Sequence, residues 1–319
     1  MSHCDRRTIL SAIAAMSGAL AVPALAVSGS GAPAKADGFL ARKGLAVGIQ
    51  VYTVDDLVRQ DLAGTFARIA QIGYRSVELA GLHGYTARTL REAADGAGLA
   101  ITSIHLGDSL IGSSQDDTDR LVEDLSILGT RAAVLPMFIF PRDVARMENE
   151  PFAAYLHRAA RSQGTGLWER TADLLNARAA AFAPHGISLA YHNHNVEFEP
   201  IEGGPTGWDI LMERTDPRLV RLEIDLGWVA AAGLDPAAFV SRYTGRVDKV
   251  HVKDILASTT PNFAFRQDPA SVGAGMLDWD RVLPAAYAAG VRHFYVEQEP
   301  PYTVDRFVSL ADSYRFLAG

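Results

Sequence analysis

Short apolar runs alternate with longer amphipathic stretches from Leu45 to the end of the chain. The short runs predict buried strands, and the stretches between them carry apolar residues at helical spacing. Most of these stretches end in Gly, which commonly stops a helix. The predicted strands are VGIQVY (47–52), SVELAG (76–81), ITSIHL (101–106), RAAVLPM (131–137), ISLAYHNH (187–194), VRLEIDLGW (220–228), DKVHVKD (248–254) and RHFYVEQE (292–299).

The regular alternation of strand and helix predicts the fold class, α/β. Strands joined by helical crossovers form a parallel sheet. Eight such units in one chain predict a (β/α)8 TIM barrel, a single domain over residues 45–319. A doubly wound sheet is the alternative, but the first strand–helix turn lacks a glycine-rich phosphate-binding fingerprint.

The amino terminus follows a different pattern. Residues 1–26 begin with a charged stretch that contains Arg6 and Arg7, continue with small apolar residues and end in an A-x-A cleavage pattern. This order is typical of a secretory signal peptide, and the paired arginines resemble a twin-arginine signal. We expect a periplasmic or secreted mature form that starts near Val27, without stable membrane insertion after cleavage. An uncleaved membrane anchor is the alternative. Residues 27–44 are expected to be a flexible lead-in.

The composition is that of an ordinary soluble protein. The chain has 319 residues, 48% hydrophobic and 21% charged, with a formal net charge of −7. This charge, and the lack of a basic stripe in the sequence, argue against a nucleic-acid partner. The single cysteine, Cys4, lies in the predicted signal. A mature chain would therefore have no disulfide, thiol nucleophile or zinc–cysteine site.

Polar residues gather at the carboxyl ends of the predicted strands, where (β/α)8 barrels carry their catalytic groups. Side chains two positions apart on a strand share a face. Buried carboxylates and imidazoles need partners, and several pairs at one rim would be satisfied together around a cation. The residues at these ends are Glu78, His105, the pair His192 and His194, the pair Glu223 and Asp225, the pair His251 and Lys253, and the pair Glu297 and Glu299.

This mixture of imidazoles and carboxylates predicts one bound divalent metal ion. The set suits Mn²⁺, Zn²⁺, Fe²⁺ or Co²⁺, whereas two imidazoles disfavour Mg²⁺. The prediction depends on the convergence of the pairs, because no single pair has a specific metal-binding spacing. A buried hydrogen-bonded network without metal is the alternative.

Seven segments along the chain are VGIQVYTVDD, IGYRSVELAG, GLAITSIHLG, ISLAYHNHNVEFEP, EIDLGWVAAAGLDP, GRVDKVHVKDI and VGAGMLDWDRVLPAAYAAGVRHFYVEQE. Together they resemble the sugar phosphate isomerase/epimerase family, the xylose isomerase-like TIM barrels. The resemblance spans about residues 45–318. It implies a barrel enzyme that acts on a sugar, and it does not specify the substrate.

In that family the last four barrel strands hold one divalent metal, usually through Glu, Asp, His and Glu. The resemblance implies Asp225, His251 and Glu297 as three ligands and His192 as the fourth. His192 departs from the pattern, because many relatives have Glu-Asn-His where this chain has His-Asn-His. A branch that resembles inosose dehydratase also has His-x-His here. Family epimerases use two opposed glutamates, so the substitution favours elimination over epimerisation.

The remaining polar groups receive individual roles. Glu297 is expected to act as general base besides holding the metal. His194 would contact substrate or orient a ligand, with a structural role as the alternative, and either His194 or Glu78 would protonate a departing oxygen. Lys253 would polarise a carbonyl or pair with a neighbouring carboxylate. The substrate-binding candidates are Glu78, His105, Trp228 and Tyr52.

Two loops after the predicted strands carry further candidate features, namely substrate contacts and a lid. Glu197 and Glu199 follow the fifth predicted strand and either contact substrate or are solvated. Residues 256–275, LASTTPNFAFRQDPASVGAG, are long for a strand–helix loop. Such a segment is either a lid or disordered.

These observations predict a metal-dependent enzyme that abstracts a proton next to a carbonyl. Its substrate would be a keto-sugar, keto-cyclitol or 3-keto-glycoside, and it would act as a lyase or dehydratase. The alternatives are a sugar isomerase or epimerase acting through an enediolate, and a non-catalytic periplasmic sugar-binding protein. Charge and export argue against an endonuclease. The expected partner is a small carbohydrate, and a homo-oligomer is left open.

Overall fold

The computed structural model describes residues 38–319, so the predicted signal and most of the lead-in lie outside the described residues. In chain order its strands are β1 Val47–Gln50, β2 Ser76–Leu79, β3 Ala100–His105, β4 Ala132–Leu135, β5 Ser188–His192, β6 Val220–Asp225, β7 Val247–Val252, β8 Asp254–Ile255, β9 Pro269–Ala270 and β10 His293–Val296. Eight of them form a closed parallel barrel in the order β1-β10-β7-β6-β5-β4-β3-β2. The predicted (β/α)8 fold is confirmed. The short strands β8 and β9 form a separate antiparallel pair.

Helices connect the strands and surround the barrel. They are α1 Phe39–Arg42, α2 Asp55–Gln60, α3 Leu62–Ile72, α4 Ala87–Ala97, α5 Asp108–Ile111, α6 Gln115–Leu128, α7 Phe152–Ser162, α8 Thr165–Phe182, α9 Gly207–Arg214, α10 Leu226–Ala231, α11 Pro236–Arg242, α12 Trp279–Ala289 and α13 Arg306–Ala318. Within residues 38–319, no helix is both long and apolar enough to cross a membrane. Helix α1 lies inside the predicted lead-in, and its Leu40 is fully buried.

The core has two layers because the strands are covered on both faces. Helices pack outside the sheet, so strands such as β7 bury nearly every side chain, as parallel sheets do. Inside the barrel, the Tyr295 hydroxyl lies 2.8 Å from Thr102 Oγ1. Gly48 makes this possible, since a Cβ there would stand 2.6 Å from the Tyr295 ring.

Several strands end earlier than the apolar runs suggest. Strand β6 ends at Asp225 because its carboxylate accepts the Trp228 backbone N–H at 2.8 Å, which caps helix α10. Trp228 therefore lies on a helix. Strand β5 ends at His192, so His194 belongs to the following loop. The apolar pattern does not predict helix α7, which supplies part of the cavity described below.

The long loop 256–275 is ordered. Asp254 anchors it, with Oδ2 accepting the Gly273 N–H at 2.9 Å and the Trp279 indole N–H at 2.8 Å. Further along, Asn195 Nδ2 donates to the Asn262 carbonyl at 2.9 Å. These contacts fix the loop over the carboxyl ends of the strands.

Candidate active site

The carboxyl ends of the strands bring the predicted polar pairs together. His192 is the last residue of β5 and Asp225 the last of β6, and Glu297 follows β10 directly. The register places Asp225 beside His251 of β7. The side chains of these four residues converge, and with their neighbours they form two layers, called here the upper cluster and the lower cluster.

The upper cluster consists of Asp225, Glu297, Glu299 and Lys253. Lys253 Nζ lies 2.8 Å from Asp225 Oδ2 and 2.8 Å from Glu297 Oε2, and it also donates to Glu299 Oε1. His251 borders the cluster, with Nδ1 at 2.8 Å from Glu297 Oε2 and 3.6 Å from Asp225 Oδ2. An ammonium group thus lies among three carboxylates in a fully buried position.

The lower cluster consists of Glu78, Glu223 and His105. His105 Nε2 lies 2.7 Å from Glu223 Oε1 and 3.2 Å from Glu78 Oε1. His251 Nε2 approaches the same two oxygens, at 3.2 Å and 2.8 Å. Gln50 Nε2 donates to Glu78 Oε1 at 2.9 Å. Both carboxylates are fully buried, so imidazoles and an amide replace the water that they lose.

His192 and His251 connect the two clusters through their two ring nitrogens. His192 Nδ1 lies 3.1 Å from Glu223 Oε1, and its Nε2 lies 3.9 Å from Asp225 Oδ2. A metal-binding histidine usually donates from its second ring nitrogen to a carboxylate, which fixes the ring. The lower cluster therefore offers the partners that two metal-binding imidazoles need, and the upper cluster offers the remaining ligand atoms.

The donor atoms fit a divalent metal. Asp225, His251 and Glu297 present ligand atoms within 4.8 Å of one another, and His192 approaches the same Asp225 oxygen. Asp225 Oδ2 makes no hydrogen bond of good geometry, although Lys253 is near it. Such a mixed shell suits Mn²⁺, Zn²⁺, Fe²⁺ or Co²⁺. A second group with the same spacing is formed by His105, His192, Glu223 and His251.

Three basic side chains of the site are held in their cationic forms. Burial would lower the pKa of His251, but Glu297 and Glu223 hold it well above its ordinary value, so the ring is cationic without a metal. The cationic groups of the site are His105, His251 and Lys253. The carboxyl groups whose pKa is held low beside them are Glu223, Asp225 and Glu297, whereas burial raises the pKa of Glu299.

His105 is an imidazolium ion at neutral pH. Burial would lower its pKa, but the carboxylates of Glu78 and Glu223 raise it to about 9. Its side chain is 11% exposed and lines the cavity above the clusters. A charged N–H donor is therefore available at the end of β3.

Glu297 is ionised. Burial would raise the pKa of this carboxyl, but Lys253 and His251 hold it well below its usual range. Both of these neighbours contact Oε2. Since Glu297 also lines the cavity, its carboxylate is available to a bound molecule.

His194 has the opposite character. Burial lowers the pKa of His194 well below its ordinary value, and His192 lowers it further, so the ring is neutral. Its Nδ1 is buried without a hydrogen-bond partner in the described structure. Its ring packs against Phe265 and Trp228, with centroids 5.3 Å and 5.6 Å away. A neutral imidazole with an unused nitrogen thus lines the cavity.

A cavity of about 790 Å³ opens above the upper cluster. Its polar end is lined by six of the predicted site residues, and Glu299 lines it as well. Four other predicted residues lie beneath this surface and contact side chains that line the cavity. They are Glu78, Asp225, His251 and Lys253. The six predicted residues that line it are Tyr52, His105, His192, His194, Trp228 and Glu297.

Two residues of the clusters are not among the site residues predicted from the sequence. Glu223 contacts three imidazoles, and Glu299 binds Lys253 and accepts the Trp228 indole N–H at 3.1 Å. The period-two pattern places both beside predicted site residues. The pattern alone does not show which member of each pair contributes to the site.

Neither Glu197 nor Glu199, the two loop glutamates after β5, lines the cavity. Glu197 is fully buried and accepts the Tyr191 hydroxyl at 2.8 Å and the His194 backbone N–H at 3.0 Å. It thereby fixes the backbone of His194. Glu199 lies 2.7 Å from His157 Nε2 on helix α7.

Known structures share this fold. A sugar phosphate isomerase/epimerase from Parabacteroides distasonis superposes with a TM-score of 0.61 at 23% identity, covering 93% of this chain and 99% of the other. The probable 3-DHS dehydratase AsbF, involved in petrobactin synthesis in Bacillus anthracis, has a TM-score of 0.54 at 16% identity, covering 86% and 99%. Identities this low establish the fold alone.

Sequence comparison finds related enzymes. The inosose dehydratase of Geobacillus kaustophilus is 29% identical over 195 residues, 59% of this chain and 60% of that protein. The aligned part thus spans less than two thirds of the relative. The model of the xylose isomerase-like TIM barrel family matches residues 66–317, which is most of the chain. The chain therefore belongs to the xylose isomerase-like TIM barrel family.

Proposed function

We propose that the protein is a metal-dependent lyase or dehydratase that acts on keto-sugars, keto-cyclitols or 3-keto-glycosides. It removes a proton next to the ketone, and the substituent on the next carbon leaves. The observation that carries this proposal is the unequal pair of groups at the polar end of the cavity. Glu297 from β10 is a carboxylate, and His192 from β5 is an imidazole.

Glu297 is the proposed general base. Its contacts to Lys253 and His251 use Oε2, so Oε1 is the atom we assign to the proton. The nearby ammonium keeps the carboxylate ionised before the reaction. A positioned base of this kind contributes about 10²–10⁴-fold to a rate.

Epimerisation requires a second acid/base group that returns a proton to the opposite face of the substrate carbon. A carboxylate would be needed there, and this chain has His192 instead. The cavity offers instead the His105 imidazolium as a proton donor. The step balances without a redox partner. Glu297 takes the α-proton, the freed electron pair forms a carbon–carbon double bond, and the bond from the β-carbon to oxygen breaks. His105 protonates the departing oxygen.

The proposed metal ligands are His192, Asp225, His251 and Glu297, whose donor atoms converge as described above. The chemistry supplied by a bound divalent ion is polarisation of the ketone, which acidifies the neighbouring C–H. Lys253 holds Asp225 and Glu297 in place from the side of β7. The neutral ring of His194 and the indole of Trp228 wall the same space and exclude water.

The comparisons support this class of reaction. The related Geobacillus protein is an inosose dehydratase, and one structural neighbour is a probable dehydratase. Both names describe loss of water. A sugar isomerase or epimerase is the alternative that the structural neighbour from Parabacteroides favours.

Incubation of the metal-loaded protein with a 3-keto-glucoside in deuterated water tests the proposal. We expect release of the aglycone together with an unsaturated keto-sugar. Deuterium incorporation with an inverted carbon, and no elimination, would show an epimerase instead. Binding without turnover or exchange across a panel of keto-sugars would support a sugar-binding protein.

We also propose that the protein acts in the periplasm, on the basis of the signal-like residues 1–26. Changing Arg6 and Arg7 to Lys keeps the charge of the amino terminus and should leave the precursor inside the cell. Lys43→Arg is the control, because it is an equally conservative change outside the predicted signal and should be exported normally. Unchanged export of the double variant would contradict the twin-arginine route.

A further inference from the structure

The part of the cavity opposite Glu297 is apolar. The loop after β4 and the start of α7 form this part, which we call the aromatic wing. Every residue of these two segments that lines the cavity is apolar, so the wing offers no charge and no side-chain hydrogen bond to a ligand. These residues are Pro136, Met137, Phe138, Phe140, Phe152, Ala153 and Leu156.

We propose that the aromatic wing binds an aromatic aglycone, so that the substrate is a 3-keto-glycoside rather than a free keto-sugar or keto-cyclitol. This inference rests on the proposed function. It names the group that leaves when Glu297 removes the proton.

Size is the first argument. A cavity of about 790 Å³ lies in the range that encloses a drug-sized ligand, about 300–1,000 Å³. A bare monosaccharide is smaller than such a ligand and carries hydroxyl groups on every side. It would fill the polar end near His192 and Glu297 and leave the wing to water.

The arrangement of the rings is the second argument. Phe140 stacks on Phe152 with centroids 6.3 Å apart and planes inclined by 22°, and Phe138 lies 6.3 Å from Phe140. Phe138 is in turn held edge-on by Trp168 of α8, at 5.4 Å. Phe140 is only half-buried, so it presents apolar surface to the cavity. Aromatic ligands gain specific stacked or edge contacts on such a surface.

Topology is the third argument. In the closed order of eight strands, β4 is separated from β10 by three strands on either side, so the two are diametrically opposed. A sugar whose α-carbon faces Glu297 after β10 therefore directs a substituent across the barrel toward the wing after β4. His105 ends β3, the neighbour of β4, and so lies on the side of the departing oxygen.

The experiment compares two substrates, methyl and 2-phenylethyl 3-keto-β-glucoside. Both release an alcohol of similar basicity, so a difference between them reports binding of the aglycone. We expect a KM about tenfold lower for the 2-phenylethyl compound, from one additional aromatic contact, with similar kcat. Phe140→Ala should remove this advantage by raising the KM of the 2-phenylethyl substrate toward that of the methyl substrate, while Phe140→Leu should keep part of it.

Phe39→Ala is the matched control, since Phe39 is also half-buried but packs on Tyr287 and does not line the cavity. It should leave the ratio of the two KM values unchanged. Equal KM values in the wild type, or a Phe140→Ala variant that affects both substrates equally, would overturn the inference.

Failure of the proposed function gives a different result, namely no turnover of either compound. Calorimetry with the unoxidised methyl and 2-phenylethyl glucosides then tests the wing directly. About tenfold tighter binding of the aromatic glucoside, lost in Phe140→Ala, supports an aglycone site. Equal binding of the two glucosides overturns it.

Discussion

The upper and lower clusters are built from the same kinds of side chain, but their carboxylates differ in access to the cavity. Each sets carboxylates around a cation, Lys253 above and His105 below. In the upper cluster Glu297 lines the cavity, whereas in the lower cluster Glu78 and Glu223 are fully buried. Glu297 and Glu299 of the upper cluster can therefore meet a substrate, whereas the lower carboxylates can act only on their neighbours.

Depth along the strands separates the two clusters. Glu223 precedes Asp225 by two positions on β6, which places it about 7 Å deeper in the barrel. At that depth it contacts the ring nitrogens of His192 and His251 that face away from Asp225. Under the proposed function, a carboxylate at one level acts as a ligand or base, and the same group one level lower orients the imidazoles.

The largest effect should come from the upper carboxylate that we assign as base. Glu297→Gln keeps the size of the side chain and removes its ability to accept a proton. We expect kcat for a 3-keto-glucoside to fall about 10³-fold. Glu199→Gln is the matched control, because Glu199 binds His157 and does not line the cavity.

Stopped-flow or product assays on both variants measure this difference. Activity of Glu297→Gln within about tenfold of the wild type would remove Glu297 from the role of general base. The candidate base would then be Glu299, the other carboxylate of the upper cluster that lines the cavity.

Glu197 shows what burial does to a carboxyl whose partners are neutral. Burial raises its pKa to about 7, despite hydrogen bonds from Tyr191 and the His194 backbone. The folded-state pKa is above the unfolded value, so the stabilisation is complete below about pH 4.5 and is lost as the pH rises through 7. The free energy of unfolding should fall by about 3 kcal/mol over this window from this group.

Glu197→Gln should remove that part of the pH dependence. Denaturant unfolding of the wild type and the variant, measured from about pH 4.5 to 8, gives the difference between them at each pH. A difference that does not change with pH would contradict the raised pKa. It would also weaken the contrast with Glu223, Asp225 and Glu297, whose pKa values are held low by neighbouring cations.

Much of the fold follows from local sequence patterns. The apolar runs predict all eight barrel strands, because each strand is buried on both faces and the helices between them are amphipathic. Their ends are less predictable. Asp225 caps helix α10 and ends β6 there, so Trp228 follows on a helix although the apolar run continues through it.

The site is predictable in part for the same reason. Alternation along a strand indicates which pairs of side chains share an inward face, and the family resemblance selects His192, Asp225, His251 and Glu297 from those pairs. The side chains of these four residues do converge. Alternation does not give depth or partners. The contacts of Lys253 with carboxylates from β6 and from the end of β10 depend on strand order and stagger around the barrel, which a single sequence does not contain.

Metal binding distinguishes the two clusters most directly. Asp225→Asn removes a proposed ligand and should abolish occupancy. Glu223→Gln removes only the carboxylate that orients His192 and His251, and should weaken metal affinity about 10–100-fold. Competition with a chelator, followed by elemental analysis, measures both effects.

The opposite result would reassign the centre. Loss of metal in Glu223→Gln with full occupancy in Asp225→Asn would place the ion among His105, His192, Glu223 and His251, the second group with suitable spacing. Full occupancy in both variants would contradict a metal site in either cluster.

The smallest effect should come from a substitution that releases loop 256–275, which covers the upper cluster. Asn195 is fully buried, donates to the Asn262 carbonyl at 2.9 Å and accepts the Phe265 N–H at 3.0 Å. Phe265, at φ 54°, lies in the left-handed region that a large side chain rarely adopts, so these contacts hold it against His194. Asn195→Ala should release this wall and raise KM about fivefold, the equivalent of one hydrogen bond, without changing metal content.

Asn176→Ala is the matched control for that variant. Asn176 also joins two backbone groups, donating to the Arg214 carbonyl at 2.9 Å and accepting the Asp216 N–H at 2.8 Å, and it does not line the cavity. It should cost stability without raising KM. If both variants raise KM equally, the loop has no specific effect on the site. If Asn195→Ala also loses metal, the loop supports the ligands themselves, and the upper cluster depends on its cover as much as on the imidazoles below it.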